Sequence, residues 1–113
     1  QGQYDKAQSV IEALVKDNAK DADALARLAE LHYLRGRLDE AEKSAAGAIA
    51  INEEQFLARW ILGQVLRDRG LNEKADEQFV WFIRIANKKD ITDPDSLRLI
   101  GLANVRVIDA SVM

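Results

Sequence analysis

His32 is the only imidazole in this chain of 113 residues, so acid–base or metal chemistry would have to begin there. A metal site needs several His, Cys or carboxylate ligands at fixed spacing, and a nucleophile needs a base beside it. The chain has no cysteine and no second histidine, which leaves His32 without a companion. It falls inside a helical apolar pattern and is read as structural. The carboxylate pairs Asp39-Glu40 and Glu53-Glu54 are the next candidates for general acid and base. Each pair stands at an expected helix start, where negative charge complements the helix dipole, and that explains it. Gly36, Gly63, Gly70 and Gly101 spell neither GxxxxGK(S/T) nor GxGxxG, so no phosphate loop is expected. The expectation is a protein with no catalytic residue, no metal and no cofactor, and not an enzyme.

Bulk properties narrow the partners. Sixteen basic residues against nineteen acidic ones give a net charge of −3, and no basic block exceeds Lys88-Lys89. That argues against nucleic acid, which attracts a basic face. No run approaches the about 20 apolar residues of a membrane span. Hydrophobic residues at 48% and charged residues at 31% suit a folded, helix-rich protein. The lack of cysteine selects no compartment, and cytoplasm and periplasm are both compatible.

The organising signal is a repeated phrase. GQYDKA at 2–7, GRLDEA at 36–41 and GLNEKA at 70–75 place Gly2, Gly36 and Gly70 at intervals of 34 residues, and Ala7, Ala41 and Ala75 likewise. Gly36 and Gly70 follow amphipathic runs ending in Arg35, or in Arg67 and Arg69, as helix stops do. Acidic and amide residues then open the next helix. Each phrase therefore reads as a helix–turn–helix elbow. Ala7, Ile11 and Leu14 form one apolar stripe; Leu38, Ala41, Ala45, Ala48 and Ile49 a second; Ala75, Phe79, Phe82 and Ile83 a third. Asp21 is expected to cap one helix, and Asn52, with Gln55 as its partner, another. The spacing predicts helices at about 3–17, 22–35, 38–51, 54–69, 72–88 and 94–109.

Within the third unit, Leu62-Gly63 is followed by Ala75-x3-Phe79; the second offers Leu25, Leu28-Ala29 and His32, then Ala41-x3-Ala45; the first retains Ala7-x3-Ile11. This pattern resembles the tetratricopeptide repeat, with its period of about 34 residues and its W-x2-L-G-x2-Y, A-x3-F and P positions. Arg59 stands in the family's Trp position with Trp60 one place later, His32 in the Tyr slot, and Ala19, Glu53 and Asn87 in place of the terminal proline. The resemblance implies an all-α fold, a right-handed α-solenoid of antiparallel helix pairs with about six helices. It divides a single domain, 1–113, into the second helix of a truncated repeat at 1–21, full repeats at 22–55 and 56–89, and a partial repeat or capping helix at 90–113.

It also implies a function: a non-catalytic scaffold that binds a peptide or helix of a partner protein on a concave surface lined by the first helix of each pair. Carried over position by position, that surface holds Asp23, Ala26, Arg27, Glu30 and Tyr33, then Trp60, Gln64 and Arg67. Tyr33 and Trp60 would be aromatic anchors flanked by Arg27 and Arg67, although Trp60 reads equally as the family's packing Trp displaced by one residue. The positions at which one subfamily clamps C-terminal carboxylates hold Ala26, Glu30, Trp60 and Gln64, which argues against that ligand here. Val80, Trp81 and Ile85 point away from the third stripe. They are either covered by the helix at 94–109 or form a second apolar patch. Leu97, Leu99, Ile100, Leu102, Val105, Val107 and Ile108 make that last helix apolar round most of its girth, unlike a polar terminal cap. Alternative functions are self-association into a homo-oligomer through apolar terminal helices, or service as a regulatory appendage of a larger multidomain enzyme. The opening at an elbow suggests a segment of a longer array.

Overall fold

In the computed structural model, the backbone of residues 2–18 and 20–112 is described, with side chains to residue 107; Ala19 and the side chain of Ile108 lie outside the described residues. Among the described residues six helices follow one another: α1 Gly2–Asp17, α2 Ala22–Leu34, α3 Leu38–Ile51, α4 Phe56–Asp68, α5 Asn72–Lys88 and α6 Pro94–Val112.

The two internal elbows are built alike. Gly36 and Gly70 take φ of 77° and 80°, the left-handed region that glycine enters without a Cβ clash. After α2, the Arg37 N–H donates to His32 O at 2.8 Å and the Gly36 N–H to Tyr33 O at 3.0 Å. After α4, Leu71 donates to Leu66 O and Gly70 to Arg67 O, both at 2.9 Å. These paired bonds satisfy the last carbonyls of each helix and turn the chain back. Gly2 is the first residue of α1.

Helix starts follow two rules. Asp21 caps α2, its Oδ1 accepting from Ala24 N–H at 3.0 Å. Asp93 caps α6 by accepting from the Ser96 N–H and Oγ–H, both at 2.9 Å, with Pro94 at the first helical position. Asn52 does not cap α4. Its Oδ1 accepts from Glu54 N–H and its carbonyl from Gln55 N–H, which closes a turn, and Gln55 becomes the cap with Oε1 accepting from Ala58 N–H at 3.1 Å. The helix therefore starts at Phe56. α3 and α5 have no side-chain cap bond; Asp39, Glu40 and Glu73 in their first turns act through the dipole alone.

The Ser96 bonds hold the Asp93 carboxyl below its ordinary value of 3.8. A depressed carboxyl stabilises the fold above its unfolded value and loses that contribution as pH falls through the folded one. Asp93→Ala should therefore be less stable than wild type near neutrality, and urea midpoints of the two should converge once the pH drops below the carboxylate range. A gap unchanged at low pH would show that the carboxylate has no part in it.

Ion pairs and hydrogen bonds reveal the stacking. Tyr33 Oη donates to Asp68 Oδ2 at 2.9 Å, and Gln55 Nε2 to Asp23 Oδ1 at 2.7 Å, joining the C-termini and the N-termini of α2 and α4, which are therefore parallel. Arg69 pairs with Asp39, and Lys89 with Glu54, so α4 runs antiparallel to both α3 and α5. α2 packs on α4 and α4 on α6, whereas among the described residues no contact joins α1 to α3 or α3 to α5. An inner row in contact beside an outer row held apart must curve, with α2, α4 and α6 on the concave side.

Two cores fill the stack. Between α2, α3 and α4 lie Ala22, Ala26, Ala29, Ala41, Ala45, Ala48, Ala58, Ile61 and Val65, mostly alanines that bring the backbones close. Between α4, α5 and α6 lie Leu66, Ala75, Phe79, Phe82, Leu99, Ile100 and Ala103. The matched positions show how one geometry takes two fillings. Ala29 and Ala45 are both fully buried in one repeat, where Gly63 and Phe79 stand in the next. Among the described residues, α1 packs on α2 alone and buries no residue fully. Its covered arc narrows to Ala7, Gln8, Ile11 and Val15, and Leu14, expected on that stripe, is 51% exposed. Arg35 ties α1 down, with Nη1 at 2.8 Å from Asp5 Oδ1 and 2.9 Å from Gln8 Oε1.

Candidate functional site

The concave face has two chemically different ends because its three helices run parallel. At their N-terminal ends lies a cleft of about 620 Å³. Its walls carry six carboxylates, Asp23, Glu30, Glu54, Asp90, Asp93 and Asp95, against the guanidiniums of Arg27 and Arg98, over apolar floor residues including Phe56, Leu57 and Leu99. Glu54 is neutralised by Lys89. The cleft therefore holds three net negative charges, equal to the net charge of the whole chain, so the remaining surface balances to zero.

The other end is aromatic and basic. Tyr33 is half-buried against the first core and bonded to Asp68. Burial, followed by the bond and charge of Asp68, pushes its phenol above 10.0, opposed in part by the positive charges of Arg106 and Arg67. Trp60 is half-buried and touches both cores; its ring lies 5.3 Å from Phe79, with the Arg106 guanidinium 5.9 Å over its face. Gln64 is half-buried, and its Oε1 is buried without a hydrogen-bond partner in the protein. Arg67 is exposed.

The residues expected to line one groove are thus divided. Arg27 and Glu30 line the acidic cleft, while Tyr33, Arg67 and the Arg106 face of Trp60 belong to the other end. Ala26, expected on the surface, is fully buried in the alanine core, since the arc between α3 and α4 takes it. Sequence reasoning missed Arg98, Arg106, Asp90 and Asp95. Carrying the repeat register into the last unit would have found Arg98, which takes the place of Trp60. The polar stretch that lengthens the last interval supplies Asp90, Ile91, Thr92 and Asp93 as one cleft wall.

Val80, Trp81 and Ile85 do not form an exposed face. Ile85 is buried and Val80 half-buried. Trp81 is covered from α4, with its ring edge-on to Phe56 at 5.2 Å and Arg59 at 4.7 Å over it. His32 is buried, with Nδ1 3.3 Å from Glu40 Oε2. Among the described residues, no group of His, Cys, Asp or Glu side chains is arranged to hold a metal ion, and no helix is long and apolar enough to cross a membrane.

Parallel inner helices, antiparallel outer ones and glycine elbows define a solenoid of helix–turn–helix repeats. Residues 1–55 match the family model described as Tetratricopeptide repeat. The same period continues through the elbow at Gly70, and together these findings support a tetratricopeptide-repeat family for the chain. Proteins of this family are typically non-catalytic scaffolds for protein–protein interaction. A comparison with curated proteins found no match.

Proposed function

We propose that this chain is an interaction scaffold that takes an extended or helical segment of a partner protein along α2, α4 and α6. The observation that supports the reading is the concave face itself, with an acidic cleft at one end of its helices and half-buried Tyr33 and Trp60 beside guanidiniums toward the other. Partly buried aromatics flanked by guanidiniums are the usual energetic centres of such interfaces. A basic residue on the partner is matched to the carboxylates, and an apolar or aromatic one to Trp60 and Tyr33. The carboxylate-rich end gives the binding a salt dependence.

Selection of a displayed peptide library against the purified chain supplies a probe. Tyr33→Ala and Trp60→Ala should each weaken the selected peptides at least about tenfold, the usual loss for an anchor. Glu30→Lys should weaken the basic ones. Thermal melts of each variant separate lost binding from lost fold, which matters most for Trp60 because it packs on both cores. Affinities within about twofold for folded Tyr33→Ala and Glu30→Lys would place binding elsewhere.

A further inference from the structure

The two ends of the concave face differ in charge, and the helix dipoles do not cause the difference. Each internal elbow sets the start of an outer helix beside the end of its inner one, Leu38 after Leu34 and Asn72 after Asp68, so opposed dipoles largely cancel. Side chains therefore set the sign. At the N-terminal ends of α2, α4 and α6 the cleft keeps its three net negative charges, over buried Leu99 and half-buried Leu57.

At the other end the sign reverses. Arg67 of α4 and Arg106 of α6 both lie close enough to the Tyr33 phenol for their charges to act on it. Asp68 accepts from the Tyr33 hydroxyl. Among the described residues, Arg67 and Arg106 enter no ion pair, unlike Arg35 and Arg69, which are tied to carboxylates of neighbouring helices. Two guanidiniums against one carboxylate leave this end positive. Half-buried Trp60 stands between the ends, on α4. Asp23 and Tyr33 are ten positions apart on α2, and so are Leu57 and Arg67 on α4. At about 1.5 Å per helical residue the two ends are about 15 Å apart.

We propose, on the scaffold reading above, that the groove takes a partner segment of mixed charge: a basic residue in the cleft, an apolar one against Trp60 and an acidic one at Arg67 and Arg106. The two charges stand about 15 Å apart, which is about four or five residues of an extended segment or about ten of a helical one. Opposite contacts at the two ends fix which end of the segment lies where. A uniformly basic segment would bring its charge against the guanidiniums, and a uniformly acidic one against the cleft. Like charges brought together cost affinity, so the groove rejects both.

Peptides selected from the displayed library read this rule directly. They should be enriched in a basic and an acidic residue at one of the two spacings, with an apolar residue between. Arg67→Glu, at an exposed position, should fold as wild type does and weaken a selected peptide at least about tenfold. Changing that peptide's acidic residue to Lys should restore most of the loss on Arg67→Glu and weaken binding to wild type. Arg106→Glu should act in the same direction, with thermal melts to separate lost binding from the lost contact with Trp60. Peptides that carry basic residues alone and bind Arg67→Glu as tightly as wild type would assign the groove to a polybasic segment and overturn the proposal. The scaffold reading would survive that result if Tyr33→Ala and Glu30→Lys still weakened them. A Lys-substituted peptide that recovers no affinity on Arg67→Glu would also overturn the mixed-charge rule alone. Peptides indifferent to Tyr33→Ala and Glu30→Lys, or a selection that yields none, would overturn both.

Discussion

Phe79→Ala is expected to lower the unfolding free energy by about 3–5 kcal/mol, the cost of removing a buried aromatic ring and leaving its cavity. Against the about 5–15 kcal/mol that holds a typical domain together, this is the largest single-residue loss expected here. The reason is positional. Phe79 is 1% exposed, packs on Gly63 and Trp60, and belongs to the core that joins α4, α5 and α6. The corresponding residue of the preceding repeat is Ala45, in a core where Ala29 stands in the place of Gly63. Urea unfolding followed by circular dichroism measures the loss. A change below about 1 kcal/mol would mean that α4 and α5 close over the space, contrary to the limited relaxation usual in cores.

Gly63→Ala is the second large effect, and its sign is the informative part. Alanine in a helix interior is ordinarily favoured over glycine by about 1 kcal/mol. Here the new methyl would stand 2.6 and 2.8 Å from Cε1 and Cζ of Phe79, and that ring is enclosed by its core. Overpacking of this kind typically costs about 1–3 kcal/mol, so the substitution should destabilise. Gly47→Ala supplies the contrast: its nearest neighbour would be Leu25 Cδ1 at 3.8 Å, an ordinary contact, so that change should be neutral or stabilising. On a Phe79→Leu background the cost of Gly63→Ala should shrink or reverse, giving a coupling term in the double-mutant cycle. Equal effects at Gly63 and Gly47 would show that helix propensity alone governs both.

Much of the fold was legible because it rests on local rules. The interval between elbows, the left-handed glycines at 36 and 70, the cap at Asp21 and the Asp93-Pro94 helix start each depend on a few neighbouring residues. Apolar spacing placed five of the six helix starts within one residue, and failed by two at α4. There, a turn at Asn52 competed for the same backbone donors that a cap would have used. The Gly63 and Phe79 pairing was readable as a motif, but its 2.6 Å closeness was not.

The candidate site was less legible, because exposure depends on which element lies opposite. Ala26 and Tyr33 sit on the same helix, and only the packing of α3 and α4 buries one fully and leaves the other partly open. Ile85 is closed although its neighbours in sequence suggested a patch, and Leu14 is open because α1 is covered from one side only. The gathering of carboxylates from α2, α6 and the loops before α4 and α6 into one cleft joins residues more than seventy positions apart. The amino-acid sequence by itself determined the repeat, its helices and its elbows, since these follow from periodicity and short-range backbone chemistry. Tertiary structure alone decided which faces meet and where charge collects, since those depend on contacts between distant segments that share no local signal.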